Sequence, residues 1–144
     1  CIRDSLVGEP AFYENFTAEE NLYMIANLLD TEADEVIESV GITFENVLVR
    51  NLTRAMRKQL AIAAALVGNP RLLLLDEPLA NLAAQTRSKI LTLLSELEET
   101  TILFTTYSPE DIKDLAEEAV VLKKGEIAAL GPVSKLDLRL EVDT

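Results

Sequence analysis

Leu72-Leu73-Leu74-Leu75-Asp76-Glu77-Pro78 is the stretch whose reading decides the architecture of this chain. Four leucines without alternation, preceded by Arg71, predict a strand buried on both faces, as a parallel sheet requires. Asp76 and Glu77 sit where that strand ends, and Pro78 stops it. In an open α/β sheet, ligands bind beyond the carboxyl ends of the strands, so the two acids mark a candidate site. A plainer reading stands beside it: the strand ends in two acids because it has reached solvent.

The neighbouring segments have matching periodicities. Upstream, Thr53 opens a predicted helix of roughly fifteen residues through Ala61-Ile62-Ala63-Ala64-Ala65-Leu66-Val67, which Gly68-Asn69-Pro70 ends. Downstream, a helix over about 84–98 carries Ile90, Leu93, Leu94 and Leu97 as one apolar stripe. Thr101-Ile102-Leu103-Phe104-Thr105 then reads as a second buried strand, completing a βαβ unit with a right-handed crossover. Ser108-Pro109 caps a further helix. Ala119–Leu122 and Ile127–Leu130 around Lys123-Lys124-Gly125-Glu126 read as a β-hairpin closed by Gly131-Pro132, and a short amphipathic helix finishes the chain.

Towards the amino end the first fifteen residues read as loop, with Gly8 and Pro10 as breakers. Thr17-Ala18-Glu19-Glu20 is a capping box for a helix bearing Leu22, Ile25, Ala26 and Leu29 that ends near Asp30. A shorter acidic helix runs from about Thr31 to Val40, closed by Gly41. Its acids read as a solvated face.

The 144 residues suit one core, and 49% apolar content excludes a disordered acidic tail. Cys1 is the sole cysteine, which excludes an internal disulfide and fits a reducing compartment. No histidine occurs, which excludes imidazole metal sites and histidine-dependent nucleophilic catalysis. No apolar run approaches a membrane span, and no signal peptide opens the chain. The net charge is −12, unevenly spread: residues 1–49 carry 11 acids against Arg3, whereas 50–74 carry Arg50, Arg54, Arg57, Lys58 and Arg71 with no acid. That balance speaks against general nucleic-acid binding. The basic block either meets phosphate or neutralises the acidic first third.

These segments, in this order, resemble the ATP-binding subunit of ABC transporters from about residue 5 to about residue 131. Leu72–Glu77 is similar to its Walker B motif and Pro78-Leu79-Ala80-Asn81-Leu82 to the loop that follows. Asn51–Leu60 stands where the family has its signature segment, Glu9–Leu22 resembles the segment after its Q-loop, and Thr105-Thr106-Tyr107-Ser108 its switch strand. The resemblance implies an α/β, partial P-loop NTPase-like fold: a mostly parallel sheet flanked by helices, a helical subdomain and a C-terminal β-hairpin. It divides one partial domain, 1–144, into a helical subdomain over about 11–68, the Walker B half of the core over about 69–131 and an extension over 132–144.

Roles follow from the same resemblance. Asp76 would hold Mg²⁺, largely through water, and Glu77 would orient or deprotonate the attacking water. Thr53, Arg54, Ala55 and Met56 occupy the family's Ser-Gly-Gly-Gln positions, which meet the γ-phosphate of ATP held by an opposite subunit. Arg54 reads either as a phosphate contact or as a surface arginine. Tyr107 stands in place of the switch histidine, Leu82-Ala83-Ala84 in place of Leu-Asp-Pro, and Gly8 or Glu9 in place of the Q-loop glutamine. No Gly-x-x-x-x-Gly-Lys-[Ser/Thr] occurs, and that loop with its strand belongs upstream in the family, the strand lying between those at 101–105 and 118–122. The expected cofactors are therefore ATP and Mg²⁺, without tight binding by this chain alone. The expected partners are a transporter membrane subunit and either a second copy of the chain or the missing N-terminal part. The expected location is cytoplasmic, peripheral at the membrane through a transporter subunit.

Three functions are open at this point. The chain is a partial or degenerate ATP-binding subunit, or a catalytically dead binding module acting through its helical subdomain around Phe12, Tyr13 and Phe16, or an α/β interaction domain unrelated to ATP. The three aromatics read equally as the subdomain's own core.

Overall fold

The computed structural model describes residues 4–7 and 11–136, which fall into two compact units divided between Thr105 and Thr106. The Gly8 and Glu9 assignment, Cys1 and most of the predicted terminal helix lie outside the described residues.

In the first unit the capping box forms as its spacing requires. Thr17 Oγ1 accepts the Glu20 amide at 3.1 Å while Glu20 Oε2 accepts the Thr17 amide at 2.7 Å. Helix α1 (Ala18–Leu29) then runs to Asp30, which ends it in the left-handed region at φ 54°. The next helix, α2 (Asp34–Val40), begins three residues later than the acidic pattern suggested, and Gly41 closes it at φ 72°. A short 3₁₀ turn at Val49–Asn51 leads to α3 (Arg54–Leu66), capped by Thr53 and followed by Gly68 at φ 96°. Helix α3 lies beside α1 and α2 and along the first strand of the sheet.

That sheet has three parallel strands in the order β1 (Asp4–Val7), β2 (Leu72–Asp76), β3 (Thr101–Thr105), with α4 (Ala84–Ser95) joining the last two. Strand β1 corrects the loop reading of the first fifteen residues. Four residues are too few to display a periodicity, and what makes Asp4–Val7 a strand is pairing with Leu72–Leu75, nearly seventy positions away.

Two further expectations change. Leu73 and Leu75 are buried, but Leu72 and Leu74 are only half-buried, so β2 is not fully covered on both faces. Strand β3 is not a buried strand: it has β2 as its one described neighbour, and Leu103 is 64% exposed. An apolar strand buries both faces only when layers on both sides cover it. The core of the unit is Leu22, Val40, Val49, Leu60, Ile62, Leu73, Ile90 and Leu94, contributed by all four helices, the 3₁₀ turn and β2.

The second unit contains α5 (Pro109–Leu115) and the antiparallel pair β4 (Glu118–Lys123) and β5 (Glu126–Pro132). Ser108 caps α5 with proline at its first position, as read. Lys124 and Gly125 make the two-residue hairpin turn, both at positive φ, and an irregularity between Val121 and Leu122 re-registers the strands. Gly131 and Pro132 belong to β5 rather than closing it, and a 3₁₀ turn at Val133–Lys135 follows.

Candidate functional site

Parallel pairing sets Asp76 directly opposite Thr105, where β2 and β3 end together. Asp76 is exposed and Glu77 half-buried. The Thr105 hydroxyl donates to Asp76 Oδ1 at 2.5 Å and accepts the Glu77 amide at 3.1 Å, and the same amide donates to the Thr105 carbonyl at 3.2 Å. One threonine thus holds the carboxylate of the first acid and the backbone of the second. Thr105 was missed as a site residue. The signal available was its place at the end of the strand expected to pair with β2.

Beyond Glu77 the chain reverses. Glu77 has φ 45° and Asn81 φ 61°, left-handed values uncommon for residues other than glycine. Pro78 and Leu79 anchor the turn from within the core. The Lys58 ammonium donates to the Glu77 carbonyl at 2.6 Å and to the Ala80 carbonyl at 3.1 Å.

The amino end of α3 supplies the other candidates. Thr53 Oγ1 accepts the Met56 amide at 3.2 Å, so the threonine is occupied in capping. Thr53 and Arg54 are exposed, and Ala55 and Met56 half-buried. Of the basic block, Arg57 pairs bidentately with Glu14 at 2.7 and 2.8 Å, Arg50 donates to Asn15 at 2.8 Å, and Lys58 serves the turn. For Arg57, neutralising the acidic first third is the role seen. The Arg57 hydrogen bonds hold the Glu14 carboxyl below the usual range. Tyr107 is 82% exposed in the second unit.

The loop over 11–17 is pinned by buried Asn21, which accepts the Tyr13 amide at 2.9 Å and donates to the Tyr13 and Thr17 carbonyls at 3.2 and 2.8 Å. Tyr13 and Phe16 stack at 5.4 Å on its outer side, both exposed, while Phe12 is half-buried. For Tyr13 and Phe16, the reading as the subdomain's own core does not hold.

The donor set fits a magnesium ion only in part. Among the described residues no three acidic or cysteine side chains converge. Asp76 presents one carboxylate with Oδ1 already accepting a bond, which suits an ion that keeps its waters and takes its other ligands from phosphate. A phosphate cradle is not found among the described residues: Gly41 and Gly68 follow helices, Gly125 makes a hairpin turn and Gly131 lies in β5. No described helix is long and apolar enough to cross a membrane.

Curated relatives and a solved structure are similar to this chain. The chain is 35% identical over 133 residues to "Uncharacterized ABC transporter ATP-binding protein YdbJ" of Bacillus subtilis, covering 87% of this chain and 43% of that protein. It is 32% identical to the linearmycin resistance ATP-binding protein LnrL of the same organism, over 94% of this chain and 47% of the relative. To the molybdenum import ATP-binding protein ModC of Albidiferax ferrireducens it is 32% identical, over 93% and 39%. The chain therefore spans less than half the length of these relatives. The fold is similar to that of the ATP-binding cassette MJ0796, solved as a dimer in a post-hydrolysis state with ADP and Pi, at a TM-score of 0.76 and 23% identity over 91% of this chain and 63% of that one. A sequence model of the ABC transporter family matches residues 5–80, more than half of the chain and inclusive of Asp76, Glu77 and the start of α3, and the chain belongs to that family as part of its ATP-binding domain.

Proposed function

We propose that this chain is a partial, degenerate ATP-binding subunit of an ABC transporter, inactive as an isolated chain. The observation that carries the reading is the end of β2, where Asp76 is exposed and held by Thr105 while Glu77 sits in a turn fixed from both sides. In this reading Asp76 would hold Mg²⁺ and Glu77 would orient or deprotonate the attacking water. Thr53, Arg54, Ala55, Met56 and Tyr107 stand at the family's phosphate-contacting positions. ATP supplies the phosphoryl chemistry when bound; the residues of this chain hold charge and position at its edge. These 144 residues contain no glycine-rich lysine loop, which supplies most of the grip on the β- and γ-phosphates, and the absence of a positioning group can by itself cost orders of magnitude in rate. Calorimetry on the isolated chain is expected to detect no micromolar ATP binding. Micromolar binding together with turnover abolished by Glu77→Gln would overturn this reading.

Its partners in this reading are a transporter membrane subunit at the cytoplasmic face and a second copy of the chain. Exposed Leu103 on β3 and the apolar face of the hairpin support the second copy, because uncovered apolar strands invite pairing. The dimer described for MJ0796 is in keeping with it. Sedimentation at micromolar concentration is expected to give a mass above the 15.9 kDa of one chain. A stable, compact monomer removes this part of the reading.

A second reading keeps the ancestry and drops the chemistry: the helical subdomain binds a membrane subunit. The exposed Tyr13–Phe16 stack on a loop pinned by Asn21 favours it, since rigid aromatics lose little entropy on docking. Capture by transporter membranes should fall for Phe12→Ala and Tyr13→Ala, and unchanged capture by both would remove the idea.

A further inference from the structure

A lysine one helical turn inside α3 holds the carbonyl side of the Glu77 turn, and its contacts are unusual. Lys58 is half-buried and spends two of its three donors on one turn, the carbonyls of Glu77 at 2.6 Å and Ala80 at 3.1 Å. The Glu77 carbonyl also accepts the Ala80 amide at 3.3 Å. A left-handed backbone at a residue other than glycine persists only where its surroundings over-determine it. Here they do so from both sides. Thr105 holds the Glu77 amide, Lys58 holds the Glu77 carbonyl, and Pro78 and Leu79 fix the next two residues in the core. Charged donors make the stronger hydrogen bonds, so the ammonium is the tightest of these restraints on the carbonyl side.

The backbone sets the direction of the Cα–Cβ bond, so whatever fixes φ at Glu77 sets where its side chain starts towards the site. We infer that Lys58 is a positioning residue for Glu77, and that it ties the aim of that carboxylate to the placement of α3. Lys58 lies about one turn, roughly 5 Å along the axis, from Arg54 and Ala55 at the helix start. A phosphate that draws the Thr53–Met56 end of α3 towards itself moves the ammonium with it, because a helix shifts as a rigid body over so short a span. The turn carrying Glu77 follows through two hydrogen bonds. Contact at the helix end and readiness of the acid are thereby linked within one chain. The inference rests on the proposed roles of Glu77 and of the α3 terminus; the clamp itself does not.

Amide hydrogen exchange of the whole chain, followed by NMR, tests the clamp without any nucleotide. Lys58→Met keeps the aliphatic stem and removes the donors. It should speed exchange at the Glu77 and Ala80 amides by about tenfold or more, while Ile62 in α3 and Leu73 in β2 stay within about twofold, since local opening and global unfolding are separate processes. Lys58→Arg, which keeps charged donors, should restore most of the protection. Unchanged exchange at Glu77 and Ala80, or equal acceleration at all four amides, overturns the inference, the latter because it marks a merely structural lysine. Should Lys58→Met fail to fold, Lys58→Gln, with a neutral donor, answers the same question: acceleration confined to the turn supports the clamp, and none refutes it. In a nucleotide-hydrolysing assembly containing this chain, Lys58→Met should lower kcat roughly tenfold with KM unchanged. If Glu77→Gln leaves that turnover intact, the reading of Glu77 fails while the exchange result stands.

Discussion

Helices α1 to α4 and the parallel sheet enclose Leu60, Ile62, Leu73, Ile90 and Leu94, whereas the β4–β5 hairpin leaves Val120, Leu122, Ile127 and Leu130 more than half exposed. The two regions are built from similar residues. Ala61-Ile62-Ala63-Ala64-Ala65-Leu66 and Ala119-Val120-Val121-Leu122 are comparable apolar runs. They differ in what surrounds them. Helix α3 has neighbouring helices and a strand beside it, while the hairpin has two strands, paired with each other. Val120 faces Leu130 and Leu122 faces Ile127 across the ladder, so the four side chains share one face. A lone two-stranded hairpin is marginal in water, and an apolar face on one is a surface waiting for cover. Among the described residues every buried apolar side chain belongs to the first unit. Apolar sequence therefore gives a capacity for burial, and only the number of packed neighbours realises it.

The largest expected effect would break or uphold this contrast directly. Leu60→Ala, at a fully buried position, should cost about 3 kcal/mol of stability, from lost transfer energy and the cavity left behind. Leu122→Thr, on the exposed hairpin face, should stay within about 0.5 kcal/mol in the dilute, unassociated chain. Urea midpoints for the two variants decide the matter. A hairpin substitution as costly as the core one under those conditions would mean that the face is covered within a single copy.

Next in size come two helix caps, one in each unit. Thr17→Ala removes half of a complete capping box and should cost about 1 kcal/mol in cooperative unfolding. Ser108→Ala removes the bond that the Asp111 amide donates to Ser108 Oγ at 3.3 Å and the one that Ser108 Oγ donates to Glu110 Oε2 at 3.0 Å. With little buried apolar surface around α5, their loss should appear as local fraying, read by exchange at α5 amides, with the urea midpoint unmoved. Equal midpoint shifts for both would show that the units unfold as one.

The smallest effect is confined to the first unit and to alkaline pH. Tyr23 donates to Asp34 Oδ1 at 2.7 Å, tying α1 to α2, and this bond to a carboxylate pushes the phenol up from 10.0 to about 12. Because the folded value lies above the unfolded one, the stabilisation is complete below pH 10 and is lost as pH rises through about 12. Tyr23→Phe should abolish that alkaline loss, and ultraviolet titration should find a tyrosine ionising near pH 12 that this substitution removes. Glu14 behaves oppositely. Its lowered value means that the Arg57 pair contributes above the ordinary glutamate range and is lost as pH falls below it.

The sequence by itself determined what is settled within a few residues: the Thr17 capping box, the stops at Gly41 and Gly68, the Ser108-Pro109 helix start, the Lys124-Gly125 turn and the paired acids at the end of a leucine strand. Each depends on contacts or dihedral preferences spanning at most four positions, so the residues that form it are adjacent on the page. Tertiary structure alone decided that Asp4–Val7 is a strand, that β3 stands half uncovered, that Thr105 holds Asp76 and that Lys58 holds the Glu77 turn. Those outcomes join positions 19 to nearly 70 residues apart, where no local preference acts and strand register and packed neighbours choose the partner.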